Sequence, residues 1–248
     1  MTSITSPRAQ FGLILPSTNT VVEAEFNWMR VEGVSWHTGR IFIPQPVLDD
    51  DASFVSFLEN LRVEIGRAVR DVVTAEVDSL VMGMSAETFW GGKQGAEEFA
   101  TLMSDLSEGR AVTTGAIACK MALDAYGAKK IGIITPYQPV GDGQVRRFFE
   151  ELGYEVHEVH GLKCDTATSI ADVTPDELKA AFRKVDAPDV DVLLQAGTNL
   201  ACALVAAEME QEVGKPVIAI NTATVWAAYR TNGIMDKLEG FGSLFSEH

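Results

Sequence analysis

An apolar strand that closes on proline and runs into a helix occurs twice in this 248-residue chain, at Gly12-Leu-Ile-Leu-Pro16 and at Lys130-Ile-Gly-Ile-Ile-Thr-Pro136. Each copy opens the same succession of short β-branched runs and longer segments of helical period. Strands are predicted at 11–15, 34–43, 79–84 and 112–114, and again at 130–136, 154–159, 192–195 and 217–220. Between them helices are predicted at 20–30, 53–74, 95–106 and 117–126, then from 136 to 151, at 174–185, 199–213 and 222–229. Strand and helix in alternation build parallel sheets. The expected fold class is therefore α/β, with two similar parallel-sheet subdomains related by pseudo-twofold symmetry, an internal duplication rather than a solenoid. Residues 1–115 with 222–248 are expected to form the first half and 116–221 the second, the element at 222–235 crossing back. Gly83 and Gly197 read as a matched pair in the two halves.

Local signals agree. Thr174 and Pro175 are a cap and a first helical residue, and Gly127 and Gly214 end helices. After the acidic run Asp49-Asp50-Asp51, the residues Phe54, Phe57, Leu58, Leu61, Ile65, Val69 and Val72 mark one helical stripe.

Charge narrows the partners. Thirty-five acidic against 20 basic residues leave a formal charge of -15, which repels a phosphate backbone or an anionic membrane surface. Neither nucleic acid nor membrane is an expected partner. A small anionic ligand stays open, because backbone N–H groups and helix starts hold anions inside acidic proteins. Three cysteines, Cys119, Cys164 and Cys202, form no CxxC, and the first ten residues have no signal-peptide pattern, so a cytoplasmic protein with reduced thiols is expected. No apolar run reaches the roughly 18 residues of a membrane span. No HExxH, H-x-E or paired His/Asp spacing supports a metal site.

Ligands of open α/β sheets bind beyond the carboxyl ends of the strands. Four such ends carry chemistry here. The first is Leu15-Pro-Ser-Thr-Asn-Thr20, where Ser17 and Asn19 serve either as helix caps or as ligand donors. The second, Val81-Met-Gly-Met-Ser-Ala-Glu87, offers Gly83, Met84 and Ser85 for a carboxylate, and Glu87 as an acid or base competing with a surface role. At the third, Tyr137 follows the strand as a phenol donor or a packing residue. The fourth brings Gly197, Thr198 and Asn199 to a turn, again as cap or donor.

These four ends, their order, and the tail Lys215-Pro-Val-Ile-Ala-Ile-Asn-Thr-Ala-Thr-Val-Trp226 resemble the maleate isomerase and arylmalonate decarboxylase branch of the aspartate/glutamate racemase superfamily. Pro16-Ser-Thr-Asn-Thr with Glu23 resembles the isomerase first loop, Met82-Gly-Met-Ser and Phe89-Trp-Gly-Gly the decarboxylase second loop, and Thr135-Pro-Tyr137 both. The resemblance, spanning about 11–230, implies a pseudo-twofold enzyme whose cleft holds a small carboxylate without metal or organic cofactor. It also implies a homo-oligomer, a dimer by analogy, for which the sequence itself offers only the surplus apolar residues Phe42, Phe54 and Trp90 as hints.

The family's two thiols are missing. Gly83 occupies the first cysteine position and Gly197 the second. Cys119 and Cys202 fall inside predicted helices as buried apolar residues, whereas Cys164, beside Lys163, is the candidate substitute thiol. His37 and His160 are further candidate proton carriers. Loss of CO2 needs no covalent catalyst, only donors for one carboxylate, an apolar setting for the other and a proton source. Tyr137, Ser85, Glu87 and Cys164 are therefore the expected catalytic set, and Ser17, Asn19, Gly83, Met84, Gly197, Thr198 and Asn199 the expected substrate-binding set. The favoured expectation is a decarboxylase-like lyase. Alternatives are a hydrolase or hydratase with a water in the space left by Gly83 and Gly197, a maleate-type isomerase, and a non-catalytic carboxylate binder.

Overall fold

The computed structural model describes residues 3–44 and 51–248, the side chains of 51–59 excepted. The acidic run Asp49-Asp50-Asp51 and the Phe54, Phe57 and Leu58 part of the predicted stripe lie outside the described residues and side chains.

Two four-stranded sheets carry the chain. The first contains β1 (Ala9–Pro16), β2 (Val34–Ile41), β3 (Ser79–Met82) and β4 (Val112–Thr113) in the order β2-β1-β3-β4. The second contains β5 (Lys130–Thr135), β6 (Glu155–Gly161), β7 (Val192–Gln195) and β8 (Val217–Ala219) in the order β6-β5-β7-β8. All pairings are parallel, and the second sheet repeats the topology of the first. The central strands are buried on both faces, which is why Phe11, Leu13, Ile14 and Leu15 run almost without polar interruption.

Register corrects one matched pair. Ile14 stands beside Met82 in the first sheet and Ile134 beside Gln195 in the second, so Gly83 corresponds to Ala196 and Gly197 lies one residue further on. The ladder contacts agree: Gly83 N–H donates to the Ile14 carbonyl at 2.7 Å and Ala196 N–H to that of Ile134 at 2.9 Å.

The helices are α1 (Val22–Trp28), α2 (Asp51–Val73), α3 (Ala86–Phe89), α4 (Gly92–Leu106) and α5 (Gly115–Ala125), then α6 (Pro139–Glu151), α7 (Pro175–Val185), α8 (Ala203–Val213), α9 (Ile220–Thr231) and α10 (Ser243–Glu247). In α7 the Thr174 hydroxyl accepts Glu177 N–H, and Glu177 reaches back to the Thr174 N–H, a reciprocal capping box. Leu178, Ala181, Phe182 and Val185 follow as its buried face. α8 begins four residues later than the 199–213 pattern predicts, because the Asn199 side chain is used elsewhere: its Oδ1 accepts Thr20 N–H at 3.0 Å and its Nδ2 donates to the Ala167 carbonyl at 2.8 Å.

α9 is buried from Ile220 through Tyr229. It packs on α1 and α5, between the two sheets' layers. A helix apolar on every side belongs inside a core, and the largest core cluster runs through it, from Phe11 and Phe26 to Trp226, Tyr229 and Phe245.

Candidate active site

All four strand ends meet at one cavity of about 230 Å³ between the halves. Its walls are mostly apolar, formed by Pro16, Ile43, Leu61, Met84, Trp90, Pro136 and Ile170. Polar groups enter from Thr18, Asn19, Ser85, Glu87, Tyr137, Thr198 and Asn199.

Hydrogen bonds tie the four ends across the cleft. The Ser85 hydroxyl, from the end of β3, lies 2.6 Å from the Tyr137 hydroxyl beyond β5, and it accepts Thr198 N–H from beyond β7 at 3.2 Å. Ser85 precedes α3 but makes no side-chain cap there, so its hydroxyl serves the cleft. Asn19 does both jobs that its residue type allows. Its Oδ1 accepts Val21 and Val22 N–H at 3.0 and 2.9 Å, capping the start of α1, while Nδ2 reaches Thr198 Oγ1 at 3.5 Å. Arg40 steadies this first loop by donating to the Asn19 and Ser17 carbonyls and pairing with Glu23.

Tyr137 is aimed by its own strand end. Its N–H donates to Thr135 Oγ1 at 3.1 Å, and that hydroxyl donates to Asp142 Oδ1 at 2.5 Å. Gly141 leaves room for the ring, since a Cβ there would sit 2.7 Å from Tyr137 Cβ. Burial pushes the Tyr137 phenol well above its ordinary range, partly offset by Ser85. It therefore stays neutral and donates a hydrogen bond rather than a proton.

Glu87 is 8% exposed and lines the cavity. Among the described residues no hydrogen bond holds its carboxyl. Desolvation raises its pKa, with the charge of Arg62 opposing. A carboxyl so placed keeps its proton further toward neutrality than a surface glutamate.

Of the predicted site residues, Asn19, Met84, Ser85, Glu87, Tyr137, Gly197, Thr198 and Asn199 line the cavity; Ser17, Gly83 and Cys164 do not. The Ser17 hydroxyl is committed to Ile43 N–H at 3.0 Å on an exposed edge. Burial raises the Cys164 thiol, with Asp165 and Glu177 adding to the effect, the reverse of what a reactive thiolate needs. The 161–174 loop still reaches the cavity, through Ala167 and Ile170. Cys119 and Cys202 are fully buried, their thiols pushed far up by desolvation. Cys202 sits just before α8, not inside it. His37 bonds to Ser35 Oγ at 2.9 Å and His160 lies 3.3 Å from Lys184 Nζ; neither lines the cavity.

At both glycines the direction a Cβ would take is already occupied. A Cβ at Gly197 would meet Pro136 Cδ at 2.4 Å, and one at Gly83 would meet Val22 Cγ1 at 2.9 Å and Leu15 Cβ at 3.1 Å. The Cβ directions of these two residues therefore add no niche of their own; Gly197 borders the cavity through its backbone and Gly83 lies off it. Thr18, Leu61 and Ile170 are cavity residues that sequence reasoning did not assign to the site; their only signal was membership of a strand-end loop or a helical stripe.

Fold and cleft together define the maleate isomerase and arylmalonate decarboxylase branch of the aspartate/glutamate racemase superfamily. The sequence model of the arylmalonate decarboxylase family matches residues 12–245. The chain belongs to that family. It is 26% identical over 247 residues to a maleate isomerase of Pseudomonas putida, covering 96% of this chain and 97% of that one. It is also 24% identical over 244 residues to a maleate isomerase of Nocardia farcinica, covering 96% of each. A solved structure of the Nocardia farcinica maleate cis-trans isomerase, a cysteine-to-serine mutant with a covalently bound succinylcysteine intermediate, superposes with a TM-score of 0.87 at 20% identity, covering 97% of this chain and 99% of that one. An arylmalonate decarboxylase structure superposes with a TM-score of 0.77 at 19% identity, covering 96% and 100%. Among the described residues no helix is long and apolar enough to cross a membrane, and no group of three or more His, Cys, Asp or Glu side chains is placed to hold a metal ion.

Proposed function

We propose that this chain is a cofactor-independent lyase that decarboxylates a small malonate-type acid bearing an apolar substituent. The observation that carries the reading is the bonded Ser85–Tyr137 hydroxyl pair set in an otherwise apolar cavity beside a buried, raised-pKa Glu87. Ser85 and Tyr137 hold one carboxylate. The second lies against Ile43, Leu61, Met84 and Trp90, where its charge is poorly solvated. Its C–C bond breaks, CO2 leaves, and the electron pair passes into the retained carboxylate as an enediolate stabilised by the same two hydroxyls. Glu87 then delivers its proton to the α-carbon and is reprotonated from water.

Glu87 is preferred as the donor on three grounds. The Tyr137 phenol is too weak an acid, Cys164 lies off the cavity, and no histidine lines it among the described residues. Thiol addition of the kind implied by a succinylcysteine intermediate has no counterpart here, because none of Cys119, Cys164 and Cys202 lines the cavity.

The test is a proton NMR time course in D2O with phenylmalonate and, separately, maleate. Release of CO2 with formation of singly deuterated phenylacetate is expected. Conversion of maleate to fumarate with phenylmalonate untouched would replace the lyase by an isomerase, and binding without product would leave a carboxylate binder.

A further inference from the structure

Beneath the cleft, Glu25 of α1 is 1% exposed and takes no part in the chemistry proposed above. Its Oε1 accepts Ala203 N–H at 2.9 Å, and its Oε2 accepts Asn221 Nδ2 at 2.7 Å. The same Asn221 Nδ2 donates to the Thr198 carbonyl at 3.0 Å. Glu25 thus grips segment 198–203 at both ends, and that segment brings Thr198 and Asn199 to the cavity and Thr198 N–H to Ser85.

Asn221 Oδ1 has no partner among the described residues, so the amide is oriented from its NH2 side alone, by two acceptor oxygens. A proton on Glu25 Oε2 would face a donor. Turning the amide over relieves that clash by presenting Oδ1 to Glu25, and it strips the Thr198 carbonyl of its donor. The two states of Glu25 therefore require opposite settings of Asn221.

We infer that Glu25 is a positioning residue for the cleft: as a carboxylate it holds the Thr198 carbonyl through Asn221 and with it the Thr198–Ser85 bond, and as a carboxylic acid it releases both. Its effect on turnover rests on the lyase reading, whereas its hold on the segment does not. The groups around it leave it to titrate alone. On its own helix Glu23 is paired with Arg40; at the start of α8 the Cys202 thiol stays neutral; on α9 the Tyr229 hydroxyl donates to the Met29 carbonyl and Arg230 to the His248, Ile234 and Asp236 carbonyls. Burial raises Glu25 to about 7, with Ala203 and Asn221 opposing, which places the change in the neutral range.

The experiment is amide hydrogen exchange of segment 198–203 in the full chain without ligand, corrected for intrinsic rates, from pH 6 to pH 8. It compares wild type, Glu25→Gln, and Phe26→Leu, a control that loosens the same helix in the core while leaving the Glu25 carboxyl and its two hydrogen bonds in place. Protection in wild type is expected to rise about tenfold with pH, while Glu25→Gln stays low and flat and Phe26→Leu keeps the rise. Flat protection in wild type overturns the inference even if Glu25→Gln fails to fold, as does an unchanged pH response in Glu25→Gln. Failure to turn over phenylmalonate, with the pH response intact, would instead count against the lyase reading alone.

Discussion

Ser85 and Tyr137 reach the cleft from opposite halves, and their hydroxyls lie 2.6 Å apart. One proton lies between the two oxygens while Ser85 also accepts Thr198 N–H, so removing either hydroxyl alters what the other can offer a ligand. Ser85→Ala and Tyr137→Phe are each expected to weaken phenylmalonate binding by about 1–3 kcal/mol. The double variant should lose less than the sum, because the two act as a unit. Calorimetric titration of the four proteins checks this; strict additivity, or no loss in either single variant, removes the carboxylate role.

Glu87→Gln keeps the side chain's volume and deletes its acid. Turnover is expected to fall by about 10²–10⁴-fold with phenylmalonate affinity retained. Since the protonated form is the working one and burial raises its pKa, kcat in wild type should show a fall as pH rises through that raised value, and this fall should be missing from the residual activity of Glu87→Gln. A rise with pH that Glu87→Gln abolishes and Glu25→Gln keeps would make Glu87 a base.

Thiol chemistry makes an opposite prediction. With Cys119 and Cys202 fully buried and Cys164 half-buried, iodoacetamide should label the native chain once, at Cys164, and leave turnover intact. Mass spectrometry and an activity assay on the same sample settle it; loss of activity on labelling would restore a cysteine to the mechanism.

Much of this was legible in the sequence. The central strands β1, β3, β5 and β7 declare themselves because a parallel strand buried on both faces must be largely apolar, and the strand-end loops follow from topology. Contacts made at long range left no such mark. Glu25 occupies a position where a surface glutamate would look the same, and its partners Ala203 and Asn221 lie 178 and 196 residues away. The start of α8 was misplaced for a similar reason: Asn199 has the chemistry of a cap, and only the fold reveals that Thr20 claims its oxygen. The pairing of Gly83 with Gly197 failed by one residue because spacing alone does not carry register.

Reinstating a side chain at Gly197 is expected to cost stability rather than restore function. Gly197→Ala drives a Cβ into Pro136 at 2.4 Å, and a destabilisation of about 1–3 kcal/mol should appear in urea unfolding. A variant as stable as wild type would show that the Pro136 ring yields.

Glu25 also predicts how stability depends on pH. Folding raises its pKa from the usual carboxylate range to about 7, so the folded chain binds this proton more tightly than the unfolded one. Its contribution is fully present at acid pH and is lost as pH rises toward 7, by about 3 kcal/mol in all. Unfolding titrations at pH 5 and pH 8 should show this slope in wild type and its absence in Glu25→Gln.

The position of α9 bears on how the chain is made. Residues 220–231 form the helix that α1 and α5 need as a packing partner, yet they leave the ribosome after both sheets. Neither sheet can complete its shared core before residues 220–231 have been made, so the strands of the first half wait with their helices partly uncovered until α9 arrives. The consequence is a single late cooperative closure, in which a nascent chain stopped before residue 220 exposes the apolar faces of both halves at once and is a natural client for chaperones.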